Sequence, residues 1–143
     1  MGIISKRQKV SSIVQPQKGI ATDAAHSIHN KKTQYRAIDL VSGEQLFLID
    51  LGFQTVNIGE FLGVVHAIKY IIENNYIHKI IYTDSQTALS WVKAKKTASK
   101  KVNNDLLKAE VFLKAFAEQV DRITILHWNK KEWGEIPSDF GNK

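Results

Sequence analysis

After residue 18 the apolar positions first recur at strand spacing, then at helical spacing. Residues 18–25 (with Gly-Ile-Ala-Thr-Asp), 34–40 and 45–52 are short runs rich in β-branched, aromatic and small side chains, and Tyr35, Ala37 and Asp39 alternate onto one side of the second. Val41-Ser42-Gly43-Glu44 reads as a hairpin turn. Strands joined by such short connections pair antiparallel. From residue 57 the period changes: Ile58, Phe61, Leu62, Val65, Ile68 and Ile72 predict a helix over 57–74, stopped by Asn74-Asn75. Residues 79–83, Lys-Ile-Ile-Tyr-Thr, predict a fourth strand, parallel to the first because a helix lies between them. Helices are expected over 85–93 and 103–119, the second with Leu106, Leu107, Val111, Phe112, Ala115 and Phe116 on its apolar side, then a fifth strand over 122–128 and a polar tail. The order β-β-β-α-β-α-α-β predicts an α/β domain: a mixed five-stranded sheet with helices on its faces.

Composition narrows the chemistry. The 143 residues suit one domain, with residues 1–18 as a basic leader and 19–143 as the folded unit. Twenty Lys+Arg against fourteen Asp+Glu leave a net charge of +6, which favours polyanionic partners. With no cysteine, thiolate catalysis, disulfides and Cys-based zinc sites are excluded, so any metal must be held by oxygen or imidazole. No apolar run approaches the roughly 20 residues of a spanning helix, and the start lacks a secretory apolar core, so a cytoplasmic protein is expected. The histidines at 26, 29, 66, 78 and 127 show no i, i+4 ligand spacing and read as surface or satisfied residues.

Four acids sit at ends and edges of elements. Asp23 interrupts an apolar strand, Glu60 lies in the first turn of the first helix, Asp84 ends the fourth strand, and Asp139 follows the fifth. Each has an ordinary structural reading. Asp23 starts a turn, Asn57 and Glu60 form a capping box, Asp84-Ser85 caps a helix, and Asp139 caps a terminal turn. Together they suggest more, because carboxylates gathered at neighbouring strand ends repel one another unless a cation neutralises them.

At these residues the chain resembles the ribonuclease H family. Ile20-Ala21-Thr22-Asp23 is similar to that family's first strand with its first catalytic Asp, and Thr55-Val56-Asn57-Ile58-Gly59-Glu60 to its T-x-N-x-x-E motif. Thr83-Asp84-Ser85-Gln86 is similar to its T-D-S-Q motif, the most specific of the set, and Gly134-Glu135-Ile136-Pro137-Ser138-Asp139 to its last acidic segment, with one residue more between Glu and Asp. The resemblance covers about residues 19–141. It implies a ribonuclease H-like fold with its last helix truncated, and hydrolysis of the RNA strand of RNA–DNA hybrids to 5′-phosphate and 3′-hydroxyl ends. It implies that Asp23, Glu60, Asp84 and Asp139 hold two Mg²⁺ ions, with Mn²⁺ as a substitute. It further implies Asn57 at ribose 2′-hydroxyls, Thr55 at a DNA phosphate and an auxiliary role for Glu135 near the second ion. Two departures stand out. Ala24-Ala25 replace the usual Gly-Ser, and no His lies between Trp128 and Asp139, where many members carry a mobile one.

Lys93, Lys95, Lys96, Lys100 and Lys101 form a basic run after Trp91. It resembles the protrusion with which some members of that family grip DNA, and its ordinary reading is a solvated loop. Trp128 is expected in the core, Trp133 as an anchor for the terminal loop, and Gly59 at a close helix packing or a substrate approach. A monomer without membrane association or small-molecule cofactor is expected. Two other readings stand beside the hybrid nuclease: a non-catalytic hybrid-binding module, which has no need of four acids, and an integrase-like or resolvase-like DNA enzyme, against which Asn57 and the T-D-S-Q motif argue.

Overall fold

The computed structural model describes residues 14–99 and 103–141. Five strands form one sheet in the order β3-β2-β1-β4-β5. β1 (Ile20–Ser27), β2 (Lys32–Asp39) and β3 (Gln45–Gly52) make an antiparallel meander. β4 (Ile80–Thr83) runs parallel to β1, and β5 (Thr124–His127) parallel to β4. β1 continues beyond its expected end because its ladder with β2 runs to the Ser27–Lys32 pair. Asp23 therefore sits within a strand and starts no turn. His26, expected in a loop, is paired in the same strand and its Nδ1 lies 2.8 Å from the Thr33 hydroxyl.

The crossover between β3 and β4 is α1 (Val56–Asn74), whose apolar period buries Ile58, Phe61, Val64, Val65, Ile68 and Ile71. Each such side chain, fully buried, stabilises the fold by about 1.5–3 kcal/mol. The capping box expected from Asn57 and Glu60 does not form. Thr55 is the N-cap, with extended backbone (φ −78°, ψ 155°), and its side chain accepts from the Ile58 N–H at 3.4 Å. Asn57 and Glu60 are thereby inside the helix and not at its cap. Asn75 ends α1 in the left-handed conformation (φ 49°) and its N–H returns to Ile71 O.

Ser85 caps α2 (Gln86–Ala94) and Asn103 caps α3 (Asn104–Ala115). The helix expected over 103–119 breaks at Phe116 (φ −107°, ψ 31°) and resumes as α4 (Ala117–Asp121), although no Gly or Pro marks the break. The main core lies between the sheet and these helices, from Ile20, Tyr35 and Ile81 through Phe61 and Ile68 to Val92, Leu106, Leu113 and Val120. A smaller core of Ala21, Tyr82, Trp128 and Ile136, edged by Trp133, is built with the C-terminal segment and the four-residue α5 (Lys130–Trp133). Alternation along β1 assigns Ala21 and Asp23 to this second face, opposite Ile20 and Ala24. Trp128 is fully buried, as expected, and its indole N–H donates to Gly134 O at 2.9 Å. No described helix is long and apolar enough to cross a membrane.

Candidate metal centre

The parallel pairing of β1 with β4 sets Ala21 beside Tyr82. Two residues further along each chain stand Asp23 and Asp84, so one register brings both acids to the same end of the sheet. Glu60 arrives from α1, and Gly59 lets it do so. A Cβ on Gly59 would stand 2.7 Å from Thr33 Cγ2 and 3.1 Å from Ala24 Cβ, so any larger residue would hold the helix off the sheet. One carboxylate oxygen from each of Asp23, Glu60 and Asp84 lies within 4.8 Å of the others. Asp23 is 1% exposed and Glu60 8%. Three carboxylates this close repel, and the donor set is all oxygen. That fits a hard divalent cation such as Mg²⁺ or Mn²⁺. The group can hold a metal ion.

Asp139 is not one of the three carboxylates that meet. Its Oδ2 accepts from the Gly141 N–H at 3.0 Å, within its own turn. Its backbone is nevertheless against the cluster, because the N–H of Phe140 donates to Asp23 Oδ2 at 3.3 Å. The side chain holding this segment is Arg36, which sequence reasoning missed. Arg36 stands opposite Asp23 in the β1–β2 ladder. Its Nε donates to Ser138 O at 2.8 Å and its Nη2 to Asp139 O, and its guanidinium lies 4.9 Å from the centre of the Phe140 ring. Alternation in β2 shows that Arg36 faces away from Tyr35 and Ala37, but a partner 102 residues distant leaves no local signal.

The other expected site residues are not part of the acid cluster. Thr55 and Asn57 are exposed at the start of α1. Glu135 is exposed and pairs with Lys130 at 2.9 Å. The hydrogen bond and charge of Glu135 raise the Lys130 ammonium above its ordinary pKa, and Asp139 and Asp84 add to the effect, so Lys130 lies in the field of the acids. Sequence reasoning missed Lys130 as well. Of the basic run, Lys96 is exposed, whereas Lys95 caps α2 (φ 55°) and bonds Asp121 at 2.8 Å. Lys100 and Lys101 lie outside the described residues. Thr97 is tied to α3, its N–H and hydroxyl both donating to Glu110 Oε2. Burial raises the Glu110 carboxyl, but these two bonds, with Lys114 and Lys96, hold it below its ordinary value.

No protein-family model matches the sequence. Among solved structures, the chain is similar to a ribonuclease H1 isolated from compost by a metagenomic approach, at TM-score 0.54 and 13% identity, over 81% of this chain and 87% of that one. The chain has a ribonuclease H-like fold. Two further similar structures are the N-terminal RNase H domain of a Mycobacterium tuberculosis protein, determined as a fusion with maltose-binding protein, and the RNase H1 of the halophilic archaeon Halobacterium salinarum. The first aligns at TM-score 0.47 and 19% identity over 78% of this chain and 86% of that one. The second aligns at 0.46 and 17% over 79% and 86%. In this ribonuclease H-like fold the three meeting acids come from β1, the N-terminal part of α1 (the second turn, since the helix starts at Val56) and the end of β4, in the order in which the motifs follow one another in the sequence.

Proposed function

We propose that this chain is an endoribonuclease that hydrolyses the RNA strand of RNA–DNA hybrids with divalent metal ions, leaving 5′-phosphate and 3′-hydroxyl ends. The observation that carries the reading is the meeting of Asp23, Glu60 and Asp84, which come from three separate elements. A purely structural protein gains nothing from three converging carboxylates, and a nuclease needs them. Asp23, Glu60 and Asp84 would hold the first Mg²⁺ or Mn²⁺, and Asp139 would complete the set for a second, with Glu135 auxiliary to it. Bound divalent cations supply a water of lowered pKa and neutralise charge on the phosphate and the leaving 3′-oxygen.

The chain's own residues do the rest. The exposed amide of Asn57, in the first turn of α1, would read a ribose 2′-hydroxyl, the group that distinguishes RNA from DNA. The Thr55 hydroxyl accepts from Ile58 N–H, and its own hydrogen would go to a phosphate oxygen of the DNA strand. The N-terminal end of α1, with its unpaired N–H groups and dipole, favours that anion. Lys96, with Lys100 and Lys101, would add sequence-independent phosphate contacts, and Lys95 less, since Asp121 engages it. No His lies between Trp128 and Asp139, and Lys130 of that segment, paired with Glu135, lies in the field of Asp139 and Asp84.

The test is cleavage of an end-labelled RNA–DNA hybrid with Mg²⁺, parent against Asp84→Asn. Cleavage by the parent and its loss in the variant, with hybrid binding retained, is the expected result. Binding without cleavage by the parent would point to the non-catalytic module, and cutting of duplex DNA to the integrase-like alternative.

A further inference from the structure

Asp139 sits in a segment, residues 134–141, with no helix or strand of its own to fix it. We propose that Arg36 is a positioning residue that holds Asp139 at the rim of the metal centre. The inference rests on the metal-nuclease reading of the four acids. Residues opposite each other in an antiparallel ladder project from the same face, so Arg36 emerges beside Asp23, on the face the C-terminal segment covers. The planar guanidinium donates through Nε and Nη2 to two consecutive carbonyls, Ser138 O and Asp139 O. The same group stacks over Phe140, whose N–H reaches Asp23 Oδ2. One side chain thus grips the residues before, at and after the predicted ligand. A fork of donors fixes orientation as a single ammonium cannot. Arg36 touches no reacting atom, and its effect would pass through Asp139. The segment is anchored independently by buried Ile136 and by the Trp128–Gly134 bond, so losing Arg36 should loosen Asp139 without unfolding the domain.

The experiment is a Mn²⁺ titration followed by electron paramagnetic resonance on the full chain. The parent is compared with Arg36→Gln, Arg36→Lys, Asp139→Asn and the Arg36→Gln/Asp139→Asn double variant, with amide exchange at Phe140 read in parallel. Removing a group that orients a ligand typically weakens metal affinity about 10–100-fold. Arg36→Gln should weaken the lower-affinity Mn²⁺ by about that factor and speed Phe140 exchange, leaving the β4–β5 amides unchanged. Arg36→Lys, which keeps the charge but not the fork, should fall between parent and Gln and carries the test if the Gln variant folds poorly. In the Asp139→Asn background Arg36→Gln should add little, because coupled residues are non-additive. Unchanged Mn²⁺ affinity in Arg36→Gln, or a full-sized effect in the double variant, overturns the positioning role alone. A parent that binds no Mn²⁺ overturns the metal-nuclease reading and this inference with it.

Discussion

Gly59 backs onto Thr33 so closely that a Cβ placed on it would stand 2.7 Å from the Thr33 methyl carbon. That methyl cannot swing aside freely, because the Thr33 hydroxyl donates to Gln54 O and contacts His26 Nδ1. The contact sets how near α1 lies to β1 and β2, and hence where Glu60 stands.

Gly59→Ala should therefore destabilise the fold even though Ala is the better helix former. Overpacking costs about 1–3 kcal/mol. The gain in helix propensity offsets about 1 kcal/mol of that. Thr33→Ser removes the obstructing methyl, and in that background Gly59→Ala should cost less, with only the 3.1 Å approach to Ala24 Cβ remaining. Urea denaturation of the four proteins measures the coupling. A Gly59→Ala variant more stable than the parent would show that the contact does not set the helix position.

Metal should stabilise this fold, and the acids should cost stability without it. At a Mg²⁺ or Mn²⁺ concentration of about 100 Kd the expected gain is about 2.7 kcal/mol. Asp84→Asn should raise the metal-free melting temperature by relieving repulsion with Asp23 and Glu60, and should remove most of the metal-induced rise. Melting curves with EDTA and with Mg²⁺ should rank parent and variant in opposite orders. A metal-independent ranking would exclude the cluster as a cation site.

Lys95 and Lys96 are neighbours with different expected effects. Lys96→Ala should lower hybrid affinity and reduce the slope of log K against log salt by up to about 0.9. Lys95→Ala should leave the slope close to the parent value, because Asp121 already engages the ammonium, and should instead lower the melting temperature slightly. Fluorescence anisotropy at several salt concentrations separates the two.

His66 should make stability fall on mild acidification. Burial holds its pKa below the ordinary 6.5, with Lys69 adding to the effect and Glu73 opposing it. Neutral His66 stacks on Phe47 with ring centres 3.7 Å apart, and its Nδ1 lies at hydrogen-bond distance, 2.8 Å, from the Tyr35 hydroxyl. That phenol is itself pushed up to about 12, by burial first and then by Asp105. Above pH 6.5 the folded and unfolded forms are both neutral at this residue, and its contribution is complete. As pH falls from 6.5 through the lower folded value, the unfolded chain takes the proton first and the contribution is lost. Urea midpoints across that window should fall more steeply for the parent than for His66→Gln. Parallel curves would show that His66 does not titrate in this way.

Trp128→Phe should retain the ring packing against Tyr82 and Trp133 but leave Gly134 O without the indole donor. The expected loss from this hydrogen bond is about 0.5–1.5 kcal/mol by thermal or urea unfolding, because Gly134 is exposed and water can reach its carbonyl. A change within error would place water at that carbonyl.

Much of this fold was legible in local patterns. The third strand, read over 45–52 as a run of apolar and β-forming residues, has those bounds, and the 3.6-residue period from Ile58 to Ile72 located α1 to within a residue. Asp23, Glu60 and Asp84 were legible because each interrupts or ends a strongly patterned element. The cap on α1 was misplaced from Thr55 to Asn57, since Thr55-Val56-Asn57-Ile58 offers two capping side chains and only backbone dihedrals separate them. The break at Phe116 carried no local mark.

The sequence by itself determined the elements, their order and the acids they carry, because periodicity and capping act over a few residues. The tertiary structure alone decided the register that sets Asp23 beside Asp84, the depth at which Gly59 seats α1, and the grip of Arg36 on the chain around Asp139. Those relationships join groups far apart along the chain, and their geometry depends on how whole elements pack.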